Sequence, residues 1–263
     1  MFFATNHTIE TPVRRGHFAF VHLNSIDTID YEEGSVKENY ADCLSRIDRL
    51  IQTIFEEIEN KHQKPSNARV IYIVTSDHGM SDQGGHGGDS TSEIETVFLA
   101  WGPGIRGPNL TVTSSEIIEP QIKASAVPLQ INGRMRTDIE QTAICPFAAL
   151  LMGTAIPVNS IGRLPTNILA ASKKSIYQMA ELNCLQLLTQ LKAKQIKFQS
   201  QHFLLFWGDF RIPTYEDLGR KIQKSKVLAL SDGYESAIKG LLEIRELILQ
   251  AIEYYSNYDR NYL

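Results

Sequence analysis

Asp77 and His78 stand together at the end of the run Ile71-Tyr-Ile-Val-Thr-Ser-Asp77-His78-Gly79-Met80, and His86 follows between the pairs Gly84-Gly85 and Gly87-Gly88. A carboxylate and neutral imidazoles are donors that zinc, and with more oxygen manganese, select. Glycines on both sides of a histidine let the backbone approach an ion closely. Taken singly, each residue has a plainer reading: Asp77 as a turn cap, His78 as a surface histidine, 84–88 as an open loop. Their joint spacing is what points to a divalent-metal site.

Asp27 adds a second carboxylate. It lies just beyond the apolar run at residues 17–23, much as Asp77 lies beyond its own run, although alone it reads as a turn residue. Two acids at separate strand ends, an Asp-His pair and a later loop histidine make up the donors for two ions sharing a site. Such a pair, about 3.5–4 Å apart, clamps the attacking and leaving oxygens of an in-line phosphoryl displacement. That chemistry also needs an oxygen nucleophile. No Ser or Thr in residues 1–26 sits at a strand end leading into a helix start.

The elements that must carry these residues follow from hydrophobic period. Residues 17–23 and 68–74 are apolar runs of strand length, as is 96–101, which closes at Gly102-Pro103-Gly104. Between the first two, residues 35–60 place Tyr40, Leu44, Ile47, Ile51, Ile54, Phe55 and Ile58 on one helical face, with Ser35 and Glu38 as a capping box. A strand, helix, strand unit predicts a right-handed parallel crossover, which brings Asp27 and Asp77 to one sheet edge. In open α/β sheets the carboxyl ends of strands are where ligands bind. The expected fold class is therefore α/β, a mainly parallel sheet flanked by helices.

Residues 105–135 are poorly patterned, with prolines at 108, 120 and 128. Residues 137–152 read as a helix interrupted by Pro146, which a first turn tolerates better than an interior position, and stopped by Gly153. Beyond Pro165 the chain turns helical. Met179, Leu182, Leu185, Leu188 and Leu191 form one stripe in 172–194, and Ile238, Leu241, Leu242, Leu247, Ile248, Ala251, Ile252 and Tyr255 another in 231–258. Stripes of this width ordinarily face the parent domain. The expected organisation is 1–170 as the metal-bearing part and 171–263 as a helical extension on the same domain.

Composition bounds the rest. At 263 residues, 43% hydrophobic and 21% charged, the chain can bury a sizeable core. A net charge of -4 with no basic run leaves no electrostatic footprint for nucleic acid. No apolar run approaches the roughly 18 residues of a membrane span. Cys43, Cys145 and Cys184 are too scattered for a disulfide framework or a Cys-rich zinc site. Two sequons, at Asn6 and Asn109, lean toward a lumenal setting.

Ser76-Asp77-His78-Gly79-Met80, followed by Gly85-His86-Gly87 and Ser92-Glu93, resembles the metal-binding signature of the alkaline phosphatase superfamily. The form is that of the glycosylphosphatidylinositol (GPI) ethanolamine phosphate transferases. The segment from His22-Leu23 to Asp27-Thr28 is similar to another motif of that family. Trp101-Gly-Pro-Gly-Ile105, the segment Pro157 to Pro165, and Tyr254-Tyr255 with Tyr258-Asp259 are most like its type 1 branch. The resemblance implies an alkaline-phosphatase-like fold in which Asp77 and His78 hold one divalent ion and Asp27 and His86 the other. Zinc is the implied metal, with manganese as the harder alternative. The implied reaction moves phosphoethanolamine from phosphatidylethanolamine to a mannose of the GPI glycolipid, the first by the type 1 likeness. It runs through a Thr that would lie upstream of residue 1, so the chain is expected to be the C-terminal half of a catalytic domain, inactive alone. The implied setting is the endoplasmic reticulum lumen, with membrane attachment through segments outside this chain.

One position departs from the pattern. Tyr31 stands where the family carries a ligand histidine, and a phenol with a pKa of about 10 is a poor zinc ligand. Asp30, Glu32 or Glu33 in its place would favour manganese; otherwise the second ion is weak or absent. This departure keeps a pseudoenzyme or binding module of the same fold as a rival. Another superfamily phosphodiesterase, sulfatase or phosphomutase is the rival among enzymes.

Overall fold

The computed structural model describes residues 17–24, 37–62, 69–81, 84–107, 130–131, 134–135, 137–201, 212–231 and 233–257. Asp27, Tyr31 and the proposed Ser35 cap lie outside them, as do both sequons. The chain forms two compact units, 1–102 and 103–263.

In the first unit a 26-residue helix, α1 (Lys37–His62), precedes strand β1 (Tyr72–Thr75). A short helical turn, α2 (Thr91–Ile94), then leads to strand β2 (Phe98–Trp101). The helix and both strands fall where the hydrophobic period places them. Phe55 of α1 meets the edge of Tyr72 at 5.1 Å and Trp101 at 6.0 Å, while Tyr72 and Trp101 stack at 5.1 Å. This aromatic cluster fixes α1 on the sheet. Offset and edge-on contacts between rings add to their area burial. The Tyr72 hydroxyl donates to Glu59 Oε1 at 2.8 Å, which ties the same faces together.

The sheet differs from expectation. β1 pairs with β2 antiparallel, Tyr72 opposite Trp101 and Thr75 opposite Phe98. Residues 17–24 carry no strand, and Phe18, Phe20 and Val21 are exposed. An apolar run becomes a strand only when a neighbouring edge satisfies its backbone. Residues 17–24 make no ladder to β1 or β2, so no parallel crossover forms among the described residues.

The second unit is largely helical. Two-residue strands β3 (Gln130–Ile131) and β4 (Arg134–Met135) pair antiparallel. A 3-10 turn (Gln141–Ala143) then opens α3 (Ile144–Leu151), which starts later than the expected 137–152 helix and so takes Pro146 in its first turn rather than its interior. Among the described residues three α-helices follow: α4 (Lys173–Gln201), α5 (Tyr215–Ser231) and α6 (Tyr234–Asn257). Leu187 and Leu191 of α4, Leu218 and Ile222 of α5, and Ile238, Leu241 and Ile248 of α6 are almost wholly buried.

The buried face of α4 meets the expected stripe only at Leu191, while Met179 and Leu188 are half-buried. Ile176, Ala180, Cys184, Leu187 and Leu191 face inward, whereas Leu182 and Leu185 are exposed. The expected residues recur every three positions, and a 3.6-residue helix carries such a row off the core face. α5 is an element that pattern reading missed. Thr214 and Asp217 hydrogen-bond reciprocally at its start, with Asp217 N–H donating to Thr214 Oγ1 at 3.2 Å and Thr214 Oγ1 donating to Asp217 Oδ2 at 2.8 Å.

The bundle grips the segment Pro157 to Pro165. Asn183 is fully buried; its Oδ1 accepts from Leu164 N–H at 3.0 Å, and its Nδ2 donates to Gly162 O at 3.1 Å. Gln186 donates to Ser160 O at 2.8 Å, and Arg245 Nη1 to Leu164 O at 3.0 Å. Gly162 passes so close to Thr142 that a Cβ there would lie 2.0 Å from its carbonyl oxygen. Arg163 bridges Glu140 at 2.7 Å and Glu246 at 3.0 Å.

Candidate metal centre

β1 ends at Thr75, and the next turn carries the Asp-His pair. Thr75 Oγ1 donates to Val97 O at 3.0 Å, which pins the strand end to the chain entering β2. Gly79 N–H donates to Glu93 O at 2.8 Å, fastening the turn after His78 to α2. The backbones touch here: a Cβ on Gly79 would lie 2.1 Å from Ser92 O and 2.3 Å from Glu95 O.

The glycine loop is closed from its other end. Ser81 N–H donates to Gly85 O at 3.1 Å, and Ser81 Oγ to Gly84 O at 2.6 Å. Gly84, Gly85 and Gly87 have φ of 80°, 95° and 95°, a left-handed backbone that non-glycine residues adopt only with strain. This curl folds residue 86 back over the Asp-His turn. The imidazoles of His78 and His86 stack with centroids 4.1 Å apart and planes 20° apart.

His78 Nδ1 lies 2.8 Å from Gly79 O. A carbonyl only accepts, so Nδ1 carries the proton, and in a neutral ring Nε2 keeps its lone pair. Nε2 lies 3.8 Å from Asp77 Oδ1. Two ligand atoms each about 2.0–2.2 Å from one ion lie within such a span. A backbone carbonyl on the other ring nitrogen, as Gly79 O is here, is what commonly fixes this tautomer in a metal-binding histidine. The Asp77-His78 pair therefore fits one face of a divalent ion by donor type, tautomer and separation.

The Asp77 carboxyl feels slight burial, which raises its pKa. Its own backbone N–H, then the nearby His78 charge, the Ser76 hydroxyl and the His78 N–H lower it further than burial raises it, leaving it below the ordinary carboxylate value. The ionised, ligand-competent form is thus favoured. Glu93, held chiefly by the Ser90 hydroxyl and then by Gly88 N–H, is likewise lowered, and the charge of His86 contributes.

Asp77, His78 and His86 are brought together; Asp27 and Tyr31 lie outside the described residues. Among the described residues no group of three His, Cys, Asp or Glu side chains closes around a point as a metal cage. Pattern reading noted Glu93 only as part of the signature. The spacing Ser90-x-x-Glu93, a helix-start pattern, marks its structural importance.

Residues 2–119 match the profile of the type I phosphodiesterase / nucleotide pyrophosphatase family. The chain is 27% identical over 244 residues to GPI ethanolamine phosphate transferase 1 of Mus musculus, covering 93% of this chain and 26% of the relative. Against the protein of the same name from Schizosaccharomyces pombe it is 27% identical over 242 residues, covering 91% of the chain and 25% of the relative. Against that of Homo sapiens it is 25% identical over 244 residues, covering 93% and 26%. The chain thus spans about a quarter of the length of the curated relatives it matches. No solved structure matches it. The chain is related to the GPI ethanolamine phosphate transferases, as its Asp-His-Gly-Met and Gly-His-Gly motifs indicated.

Proposed function

We propose that this chain, a relative of the GPI ethanolamine phosphate transferases, is the metal-bearing part of an enzyme that transfers phosphoethanolamine from phosphatidylethanolamine to a mannose of the GPI precursor. The first mannose is the acceptor that the type 1 likeness favours. The observation that carries this reading is the meeting of Asp77, His78 and His86 at the end of β1, with His78 Nε2 3.8 Å from Asp77 Oδ1 and the two imidazoles stacked.

In this reading Asp77 and His78 hold one divalent ion, while His86 and Asp27 contribute to the other. Zinc suits the imidazoles; Tyr31, and the acids around it, weaken the second site or bias it toward manganese. Bound divalent ions supply charge neutralisation for a transferring phosphoryl group. Residues 1–170 carry the metal site at the end of β1. Residues 171–263 brace the segment Pro157 to Pro165. The setting is the endoplasmic reticulum membrane, with this part on the lumenal side.

Tyr31 favours a second reading, a pseudoenzyme that retains the fold and one ion. Membranes from cells expressing the gene, given labelled phosphatidylethanolamine and a mannosylated GPI precursor, test the two. Label transfer that depends on divalent metal and is lost in Asp77→Asn supports the transferase. Transfer undiminished by Asp77→Asn overturns the site assignment, and a protein that binds one ion without transferring label is the pseudoenzyme.

A further inference from the structure

We propose that Glu93 positions His86, acting as a two-ended clasp that holds both histidine loops in register. Its carboxylate and its main-chain carbonyl work in different directions. Oε1 accepts from Gly88 N–H at 3.0 Å and Oε2 accepts from the Ser90 hydroxyl, so the side chain grips the loop two residues after His86. The carbonyl oxygen accepts from Gly79 N–H at 2.8 Å, one residue after His78. A single residue thereby ties together the two backbone segments whose imidazoles stack.

Two further observations make this more than helix capping. Ser90, the N-cap of α2, makes no side-chain cap bond to the helix; its hydroxyl serves the Glu93 carboxylate instead. The Glu93 carboxylate reaches past the cap to the loop, in contrast to an ordinary capping box, whose Glu stops at the cap residue. The loop is also shaped to receive it: a Cβ on Gly88 would lie 2.7 Å and 2.9 Å from the two carboxylate oxygens. A side chain at that point would push the Glu93 carboxylate aside from its present position.

The consequence is conformational. Left-handed glycines at 84, 85 and 87 permit many loop paths, and ordering such a loop costs backbone entropy that some contact must offset. The Gly88 and Gly79 bonds supply that contact at the two places where it fixes residue 86 relative to residue 78. Glu93 is a positioning residue. It acts on an ion only through the histidines, so its value to metal binding rests on the reading given above, whereas its effect on the imidazoles does not.

The experiment uses the whole 263-residue chain with labelled histidines, free of metal, followed by titration with Zn²⁺. In Glu93→Ala the ring-proton shifts of His78 and His86 move toward those of unstacked imidazoles, and the Gly88 amide exchanges at least about ten-fold faster. Zn²⁺ affinity falls about 10–100-fold, the range for loss of a residue that orients a metal-binding histidine. Glu93→Gln, which keeps an acceptor for Gly88 N–H, restores the ring shifts at least in part. Unchanged ring shifts in a folded Glu93→Ala protein overturn the proposal. Should that variant not fold, Ser90→Ala decides: ring shifts displaced part way support the clasp, and wild-type shifts overturn it. Displaced rings in a chain whose wild type takes up no Zn²⁺ uphold the clasp and overturn the metal reading.

Discussion

His78 and His86, eight positions apart in sequence, lie face to face with ring centroids 4.1 Å apart. Among the described residues between them none belongs to a regular element; left-handed glycines shape the approach to His86, and α2 holds both ends. The stacking of the two rings therefore depends on a left-handed backbone that glycine adopts without strain.

Two glycines of this turn separate steric from conformational cost. Gly79→Ala forces a methyl to within 2.1 Å of the Ser92 carbonyl oxygen, so α2 must move away and the Gly79 N–H bond to Glu93 with it. Gly85→Ala meets nothing within 4 Å and incurs only the strain of φ at 95°, about 1–2 kcal/mol. Urea unfolding is expected to show the first variant destabilised well beyond the second.

Tyr72 and Tyr177 supply a pH prediction. Burial, followed by the hydrogen bond to Glu59, pushes Tyr72 up to about 12; burial, followed by the charge of Glu181, does the same to Tyr177. A folded pKa above the unfolded one means that the stabilisation is complete below the unfolded value of about 10 and disappears as pH rises through the folded one. Stability is expected to fall between about pH 10 and 12. Tyrosinate absorbance should show a late step that shrinks in Tyr72→Phe.

The buried face of α4 can be checked against its exposed edge. Leu187 is fully buried, whereas Leu182 is 52% exposed. Leu187→Ala should cost about 2–5 kcal/mol, and Leu182→Ala no more than about 0.5 kcal/mol. Chemical denaturation of the two variants measures the difference.

Arg245, 1% exposed, donates to Leu164 O at 3.0 Å and holds the end of the segment Pro157 to Pro165. Arg245→Met fills similar volume but leaves a buried carbonyl unpaired, at a cost of about 1–3 kcal/mol. Faster amide exchange through residues 160–166 is the local readout expected beside the lowered stability.

The sequence made the local elements of the site legible and left their assembly hidden. A strand before Asp77, a second ending at Trp101 and the long helix between His17 and Ile71 follow from period alone, because their burial is one-sided and local. The direction of pairing does not: Tyr72 opposite Trp101 is a contact across 29 positions, and an apolar run carries no sign of whether its partner is parallel. Residues 17–23 have the composition of a buried strand, yet Phe18 and Phe20 face solvent. On α4 a three-residue leucine repeat drew attention from Ile176, Ala180 and Cys184, smaller or less regular residues that make the actual core face. α5 was missed although Leu218, Ile222 and Ser225 recur at helical spacing, since its intervening lysines and Gly219 dilute the stripe. At the site, Asp77, His78 and His86 were readable as donors. The clasp by Glu93 was not, because it joins side chain and backbone across a loop whose path depends on three positive φ values.

The most direct test of the metal site is X-ray absorption at the zinc edge on the 263-residue chain loaded with one equivalent of Zn²⁺. Stoichiometric uptake is expected, with a nitrogen and oxygen shell at about 2.0–2.1 Å. Outer-shell scattering from imidazole should be present and should diminish in His78→Ala. No uptake, or an imidazole signal unchanged in His78→Ala, would contradict the assignment of Asp77 and His78 as ligands.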